Sequence, residues 1–407
     1  MRRIKLKDNP MKFPLARPDI TDKEIQYVTE VLRTPYLSLG PKHREFEAAF
    51  ARYLGRLYAV AVSSGTAGLH LAIRALSIKE EDEVITTPFS FVASSNAILF
   101  ERAKPIFVDI DPRTLNVDSQ EIVKFIESFC VFDGKVLKNK KTKATVKAIL
   151  PVHVFGHPCE MDRIMDIAEI YNLTIIEDAC EAIGAEYKTA SAKYQMLKGR
   201  KVGTFGNLAV FAFYPNKQIT TGEGGMVVTD DEELAELIKS LRNQGRGNNS
   251  LLLEHVRLGY NYRMDELSAA LGLAQLERIE EMLKKRERVA HTYNSLLHEI
   301  DEVELPYVAS NVKMSWFVYV IRVKDKINRD ILMRFLLENG VECRPYFTPI
   351  HLQPFYKEMF GFKEGHFPIA ESASKRTLAL PFYNNLKKED ITFIVEKLKE
   401  GLLKSKV

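Results

Sequence analysis

The sequence predicts an α/β protein: a large, mostly parallel seven-stranded sheet with helices on both faces, followed by a smaller C-terminal α+β domain. Three observations predict it. Through the first two thirds of the chain, short β-branched runs alternate with amphipathic stretches, as in a sheet built from strand–helix units. Several runs are apolar at consecutive positions rather than alternate ones, which marks strands buried on both faces. Beyond about residue 298 the alternation gives way to a few strands and helices in a different order.

Taken in order, an early helix begins at Thr21, where Thr21 and Glu24 match a capping box. Strands are expected at Tyr58–Ser63, Glu83–Thr86, Pro105–Ile110, Val146–Val154, Thr174–Asp178, Leu208–Phe213 and Gly225–Thr229. Helices between them are expected at Thr66–Leu76, Glu160–Tyr171 and Asp231–Arg242. From Met264 to about His298 a helical pattern runs with almost no breaker, long enough to connect two domains. A strand at Trp316–Val323, a helix near Arg329–Asn339, a short strand at Val341–Arg344 and a terminal helix from Lys388 complete the smaller domain. The boundary is placed inside the long helix, giving domains 13–280 and 281–407.

Composition excludes several function classes. With 58 basic and 54 acidic residues the net charge is +4, so no global field recommends nucleic acid or a membrane as partner. The one basic cluster, Lys135, Lys138, Lys140, Lys141, Lys143 and Lys147, reads as a solvated loop. Cys130, Cys159, Cys180 and Cys343 show no Cys-x-x-Cys spacing, which argues against a structural metal or disulfide framework and for a reducing compartment. The charged N-terminus leads into Asp8, Asn9 and Pro10 rather than an apolar core, so it does not read as a signal peptide. No uncharged apolar run approaches the roughly 20 residues of a membrane span. The expected setting is the cytoplasm.

In open α/β sheets, ligands bind beyond the carboxyl ends of the strands. Three segments fall at such ends. Ser63-Ser-Gly-Thr-Ala-Gly68 follows a strand and opens a helix, whose N-terminal N–H groups suit a phosphate. Alone it is also an ordinary helix start. Thr174-Ile-Ile-Glu-Asp178 ends a buried strand on an acid pair, which is costly without a partner. Asp178 either caps the next helix or pairs with a cationic ligand atom. Lys217 stands between an apolar strand and the loop Thr220-Thr-Gly-Glu-Gly-Gly225, where desolvation favours the neutral, nucleophilic amine. A phosphate cradle, an anion for a ring nitrogen and an amine for an aldehyde are the three handles of pyridoxal 5′-phosphate.

With those segments, Thr87-Pro-Phe-Ser-Phe-Val-Ala, Phe213-Tyr-Pro-Asn-Lys217, Gly259-Tyr-Asn-Tyr-Arg-Met-Asp-Glu-Leu and Arg344-Pro-Tyr…Pro349-Ile-His occur in one order. From about Phe13 to Leu398 the chain resembles the DegT/DnrJ/EryC1/StrS sugar aminotransferases, which have the type I aminotransferase fold. The resemblance implies that Lys217 carries the cofactor as a Schiff base and later acts as general base. It implies that Asp178 keeps the pyridine nitrogen protonated, that Phe91 stacks on the ring, and that Gly65 and Thr66 bind the phosphate. Asn261 would reach the phosphate of a partner subunit, making the active unit a homodimer. Arg263 would hold the donor carboxylate, and His351 would approach the sugar from the small domain or the other subunit. The implied reaction passes nitrogen from glutamate, through pyridoxamine 5′-phosphate, to a nucleotide-linked keto-sugar. The Ile219-Thr-Thr-Gly-Glu-Gly-Gly loop resembles members that aminate C4 of 4-keto-6-deoxy sugars.

This chain departs from the family pattern in three places. Ala212 stands where a phosphate-binding serine is frequent. Glu181 stands where glutamine or histidine is frequent near the cofactor's phenolic oxygen, so it is expected to be protonated, turned away or salt-bridged. Stretches 129–145 and 188–198 read as surface insertions. Two other readings stay open: a cyclic ketone such as a keto-inositol as acceptor, or a sugar dehydratase. Family dehydratases replace the lysine by histidine, so Lys217 counts against the second. A regulatory protein that kept the fold without catalysis is disfavoured by intact Lys217 and Asp178.

Overall fold

The computed structural model describes residues 12–189, 191–197, 199–247 and 253–406. Residues 1–11, which carry the signal-peptide reading, lie outside the described residues, as do 190 and 198 of the second insertion.

Seven strands form the main path of the large sheet: β1 (Tyr58–Val62), β2 (Asp82–Thr86), β3 (Lys104–Phe107), β4 (Thr145–Ile149), β5 (Thr174–Asp178), β6 (Leu208–Ala212) and β7 (Gly225–Thr229). Their spatial order is β1-β7-β6-β5-β4-β2-β3. Strand β7 runs antiparallel to both β1 and β6, and every other neighbouring pair is parallel. The buried apolar runs therefore became central strands, with β5 fully buried from Ile175 to Asp178. Helices Gly65–Ala75, Met161–Tyr171 and Glu232–Arg242 lie where the periodicity put them. At the first helix, the Glu24 carboxylate accepts the Thr21 N–H at 2.7 Å, closing the capping box.

Below β6, helix Pro41–Leu54 packs Phe46 and Phe50 against Phe211 and Phe213, with ring centres 5.1–5.6 Å apart across the helix–strand contact. All four rings are sealed from solvent. That packing fixes the strand that leads into the Lys217 turn. The helix start is held from afar: Glu266 accepts the N–H groups of Gly40, Lys42 and His43 at 2.8–2.9 Å. A carboxylate there satisfies the free donors and complements the helix dipole.

Three expectations are corrected. The long helix from Met264 is two helices, Glu266–Leu276 and Ile279–Leu297. At the junction the Arg278 backbone leaves helical geometry, and its guanidinium pairs with Glu24 at 2.6 Å. The lysine-rich stretch is not a plain loop. Strands Cys130–Phe132 and Leu137–Asn139 form an antiparallel hairpin whose second strand extends the sheet beside β4. Glu83 secures it by accepting from Asn139 at 2.8 Å and Thr142 at 2.7 Å. Finally, 341–344 makes only isolated bridges, Val341 with Phe13 and Arg344 with Ala379, rather than a strand.

The C-terminal region carries a three-stranded sheet, Val303–Glu304, Tyr319–Val323 and Thr377–Leu380, with helices Arg329–Glu338 and Lys388–Lys404. The described part of the second insertion rests on helix Met161–Tyr171, where Lys193 and Tyr194 both bond Asp166 at 2.9–3.0 Å.

Candidate active site

A cavity of about 710 Å³ opens at the carboxyl ends of the central strands. Strand β5 delivers Asp178 to it, the turn after β6 delivers Lys217, and the helix after β1 delivers Gly65 and Thr66. The three segments singled out at strand ends therefore converge on one space.

At the strand end, Asp178 Oδ2 accepts the Ser94 hydroxyl at 2.6 Å and Oδ1 accepts the Cys180 N–H at 3.1 Å. Its neighbour Glu177 points to the opposite face. Three N–H groups, of Gly203, Phe205 and Gly206, bond Glu177 at 2.6–2.7 Å, and His153 Nε2 lies 3.1 Å away. Burial works to raise its carboxyl, but His153, the Gly206 N–H and Arg56 outweigh it and hold it below the usual glutamate range. The acid pair thus divides: Glu177 ties down the loop before β6, and Asp178 faces the cavity.

Lys217 sits in a tight turn closed by its N–H on the Tyr214 carbonyl at 2.9 Å. Its side chain is only 12% exposed. The Nζ lies 3.7 Å from Glu181 Oε1 and 3.8 Å from the centre of the Phe317 ring. Glu181 Oε2 accepts the Phe155 N–H at 2.9 Å. Burial pushes the Glu181 carboxyl above the usual glutamate range, against the opposing pull of Lys217 and the Phe155 N–H.

Gly65 has no room for a side chain: a Cβ there would stand 2.6 Å from the Ala212 Cβ and 3.1 Å from the Cys180 sulfur. The Ser64 hydroxyl accepts the Ala67 N–H at 3.0 Å, while the N–H groups of Gly65 and Thr66 precede the first helical bond. Such a helix start can bind an anion. Phe91 lines the cavity and is 63% exposed. A carboxylate, a mostly buried amine, a helix N-terminus and an aromatic face fit a phosphorylated pyridine aldehyde.

Three residues of the sequence reading lie away from the cavity. Asn261 is exposed and its segment bridges to Asn243. Arg263 bonds the Asn243 side-chain oxygen at 3.0 Å. Neither lines the cavity. His351 is sealed in the core, with Nε2 2.9 Å from Glu371 and its ring against Phe367, and it does not reach the cavity. Conversely, Ser94, Asn216, Phe317, Tyr346 and Gln353 line the cavity without having been singled out. Ser94 carried a weak signal, lying four residues after Ser90 at a helix start. Phe317 carried none inside its apolar run.

Chemistry that needs a shielded amine opposite a carboxylate, with an anion cradle alongside, is that of pyridoxal-phosphate enzymes. On this sheet it is an arrangement that an aminotransferase can use. Residues 18–399 match the model of the DegT/DnrJ/EryC1/StrS aminotransferase family, and the chain belongs to that family, whose members depend on pyridoxal 5′-phosphate. It is 37% identical to a GDP-perosamine synthase of Caulobacter vibrioides, covering 96% of this chain and 99% of that one. Among solved structures it resembles Helicobacter pylori PseC, an aminotransferase of pseudoaminic acid biosynthesis, with TM-score 0.86, 27% identity and coverage of 96% and 99%. It also resembles a Streptococcus pneumoniae protein assigned as a sugar aminotransferase and solved in its PMP form, with TM-score 0.86, 26% identity and coverage of 97% and 100%.

Proposed function

We propose that this aminotransferase moves an amino group from glutamate to C4 of a nucleotide-linked 4-keto-6-deoxy sugar, using pyridoxal 5′-phosphate held in the cavity. The observation that carries the reading is the convergence of Lys217, Asp178 and the Gly65–Thr66 helix start on one space. When bound, the cofactor supplies an aldehyde for the donor nitrogen and a ring that withdraws electrons. Lys217 would hold the aldehyde, and when free its shielded amine would be suited to take and return the substrate α-proton. Asp178 would hold the ring nitrogen, Phe91 the ring, and the Gly65 and Thr66 N–H groups the phosphate. Glu181 stands beside the amine, 3.7 Å from Nζ.

The GDP-perosamine synthases among the relatives support a nucleotide-linked sugar as acceptor. The aromatic and amide lining from the C-terminal region, Tyr346, Phe347 and Gln353, suits a polyhydroxylated ring. The division into domains 13–280 and 281–407 is part of this reading, as is a homodimer in which Asn261 and Arg263 serve the neighbouring cavity. Four free cysteines support a cytoplasmic setting. The test is direct. Loaded protein should be yellow and should bleach with glutamate, and a panel of nucleotide-linked keto-sugars, read by NMR, should show amination at C4. A protein that gains no visible absorbance with added cofactor, or that aminates only a keto-inositol, would overturn the reading.

A further inference from the structure

The Lys217 amine lies between two groups of opposite origin. Glu181 comes from the turn after β5, and Phe317 comes from the segment that enters the C-terminal sheet. Phe317 is almost completely buried and its backbone is gripped. Arg286, on helix Ile279–Leu297, donates Nε to the Trp316 carbonyl at 2.7 Å and Nη2 to the Phe317 carbonyl at 2.8 Å. Its remaining amine donates to Asn384 Oδ1 at 2.9 Å. A sealed guanidinium that meets two successive carbonyls and an amide is an expensive way to hold a strand entrance. It leaves the Phe317 ring fixed against Nζ.

An apolar wall and an aromatic wall act differently on an amine. Desolvation by any apolar side chain disfavours the ammonium form, whereas the negative face of an aromatic ring attracts it. We propose that Phe317 is a positioning residue for Lys217: its clamped ring and the Glu181 carboxyl form the resting place of the lysine amine whenever that amine is not bonded to cofactor. The inference rests on the reading that Lys217 is the cofactor-bearing lysine. It gives Glu181 a task beside the amine.

Other titratable groups face the same space: Asp178 and Cys180 from the strand end, Tyr214 and Glu223 from the lysine's own loop, and Tyr346 from the C-terminal region. Phe317→Leu leaves all of them in place and removes only the ring face. The experiment uses the cofactor-free protein. Limiting acetic anhydride is applied across a pH series, and acylation of the Lys217 peptide is followed by mass spectrometry. The midpoint should fall by about half a unit to one unit in Phe317→Leu, and Phe317→Tyr should restore it. If the leucine variant gives no cooperative melt, Phe317→Met carries the same comparison. A midpoint unchanged in the aliphatic variant, or lowered equally in the tyrosine variant, overturns the proposal, because a space-filling role predicts either. Borohydride reduction of loaded wild-type protein tests the underlying reading separately. A pyridoxyl mass on a peptide other than that of Lys217 sinks the assignment of the lysine, whatever the titration shows.

Discussion

Ser94 donates its hydroxyl to Asp178 Oδ2 at 2.6 Å, leaving the Cys180 N–H to serve the other oxygen. A hydrogen bond to an ionised group contributes about 1.5–3 kcal/mol. The Ser94 bond aims Asp178 into the cavity, as the proposed role of partner to a ring nitrogen requires. Ser94→Ala should therefore lower kcat/KM for glutamate roughly ten- to a hundredfold, with cofactor still bound. Ser94→Thr, which keeps the hydroxyl, should lose much less. Steady-state kinetics of the three proteins check this, and equal turnover by the alanine variant would show that the bond is idle.

Ser94 also marks how far the sequence was legible. The seven main strands could be read because burial on both faces leaves consecutive apolar residues, and β5 and β7 match their expected spans to the residue. The three segments that line the cavity could be read because each carries a distinctive chemical type at a strand end. What sequence does not encode locally is what folds in from elsewhere. Ser94 lies 84 residues from Asp178, and Phe317 reaches Lys217 from the segment that enters the small sheet. Each has an ordinary local role, in a helix or an apolar run, that hides its partner. His351 shows the converse. Its motif placed it near substrate, while aromatic neighbours and Glu371 bury it. Helix Pro41–Leu54 is absent from the sequence-based reading despite Pro41 at its start and a left-handed Gly55 (φ 80°) at its end, because its many charges blur the apolar stripe.

Glu181 should leave a mark on stability. Its carboxyl is raised above the ordinary value, first of all by burial. Between the unfolded value, about 4.3, and the raised folded one, the native protein keeps a proton that the unfolded chain has released. Stability therefore falls as pH rises through that window, and below it both states are protonated and the penalty disappears. Glu181→Gln keeps an acceptor for the Phe155 N–H and removes the titration. In cofactor-free protein it should lose less stability than wild type as pH rises through that window. A constant difference between the two proteins across the pH series would place the cause elsewhere.

His351 should prove structural. Burial lowers its imidazole below the usual range. For Glu371, burial works to raise the carboxyl, but the Gly365 and Phe367 N–H groups and His351 outweigh it and lower it. Both shifts make acid destabilising. The unfolded histidine takes its proton first as pH drops below about 6.5, and the glutamate's contribution is lost as pH falls from about 4.3 through its lowered folded value. His351→Ala should cost about 2–4 kcal/mol at neutral pH by urea unfolding, with a shallower loss of stability on acidification. KM for the keto-sugar should not move. A raised KM with unchanged stability would return His351 to the substrate.

Subunit mixing tests the placement of Asn261. It is exposed and outside the cavity of its own chain, so a role at the phosphate requires the neighbour. Asn261→Asp would set a carboxylate against that phosphate and should disable the neighbouring site through charge repulsion. Lys217→Ala should disable its own site. If two cavities are completed reciprocally across a two-fold axis, a mixed dimer of these variants has one intact cavity, supplied with Lys217 by one subunit and Asn261 by the other. Unfolding and refolding an equal mixture should then recover roughly a quarter of wild-type activity from two inactive parents, since half the dimers are mixed and half their sites are whole. The measurement is turnover before and after mixing. Absence of recovery, with mixed dimers verified by native mass spectrometry, would confine each site to one chain and remove Asn261 from it.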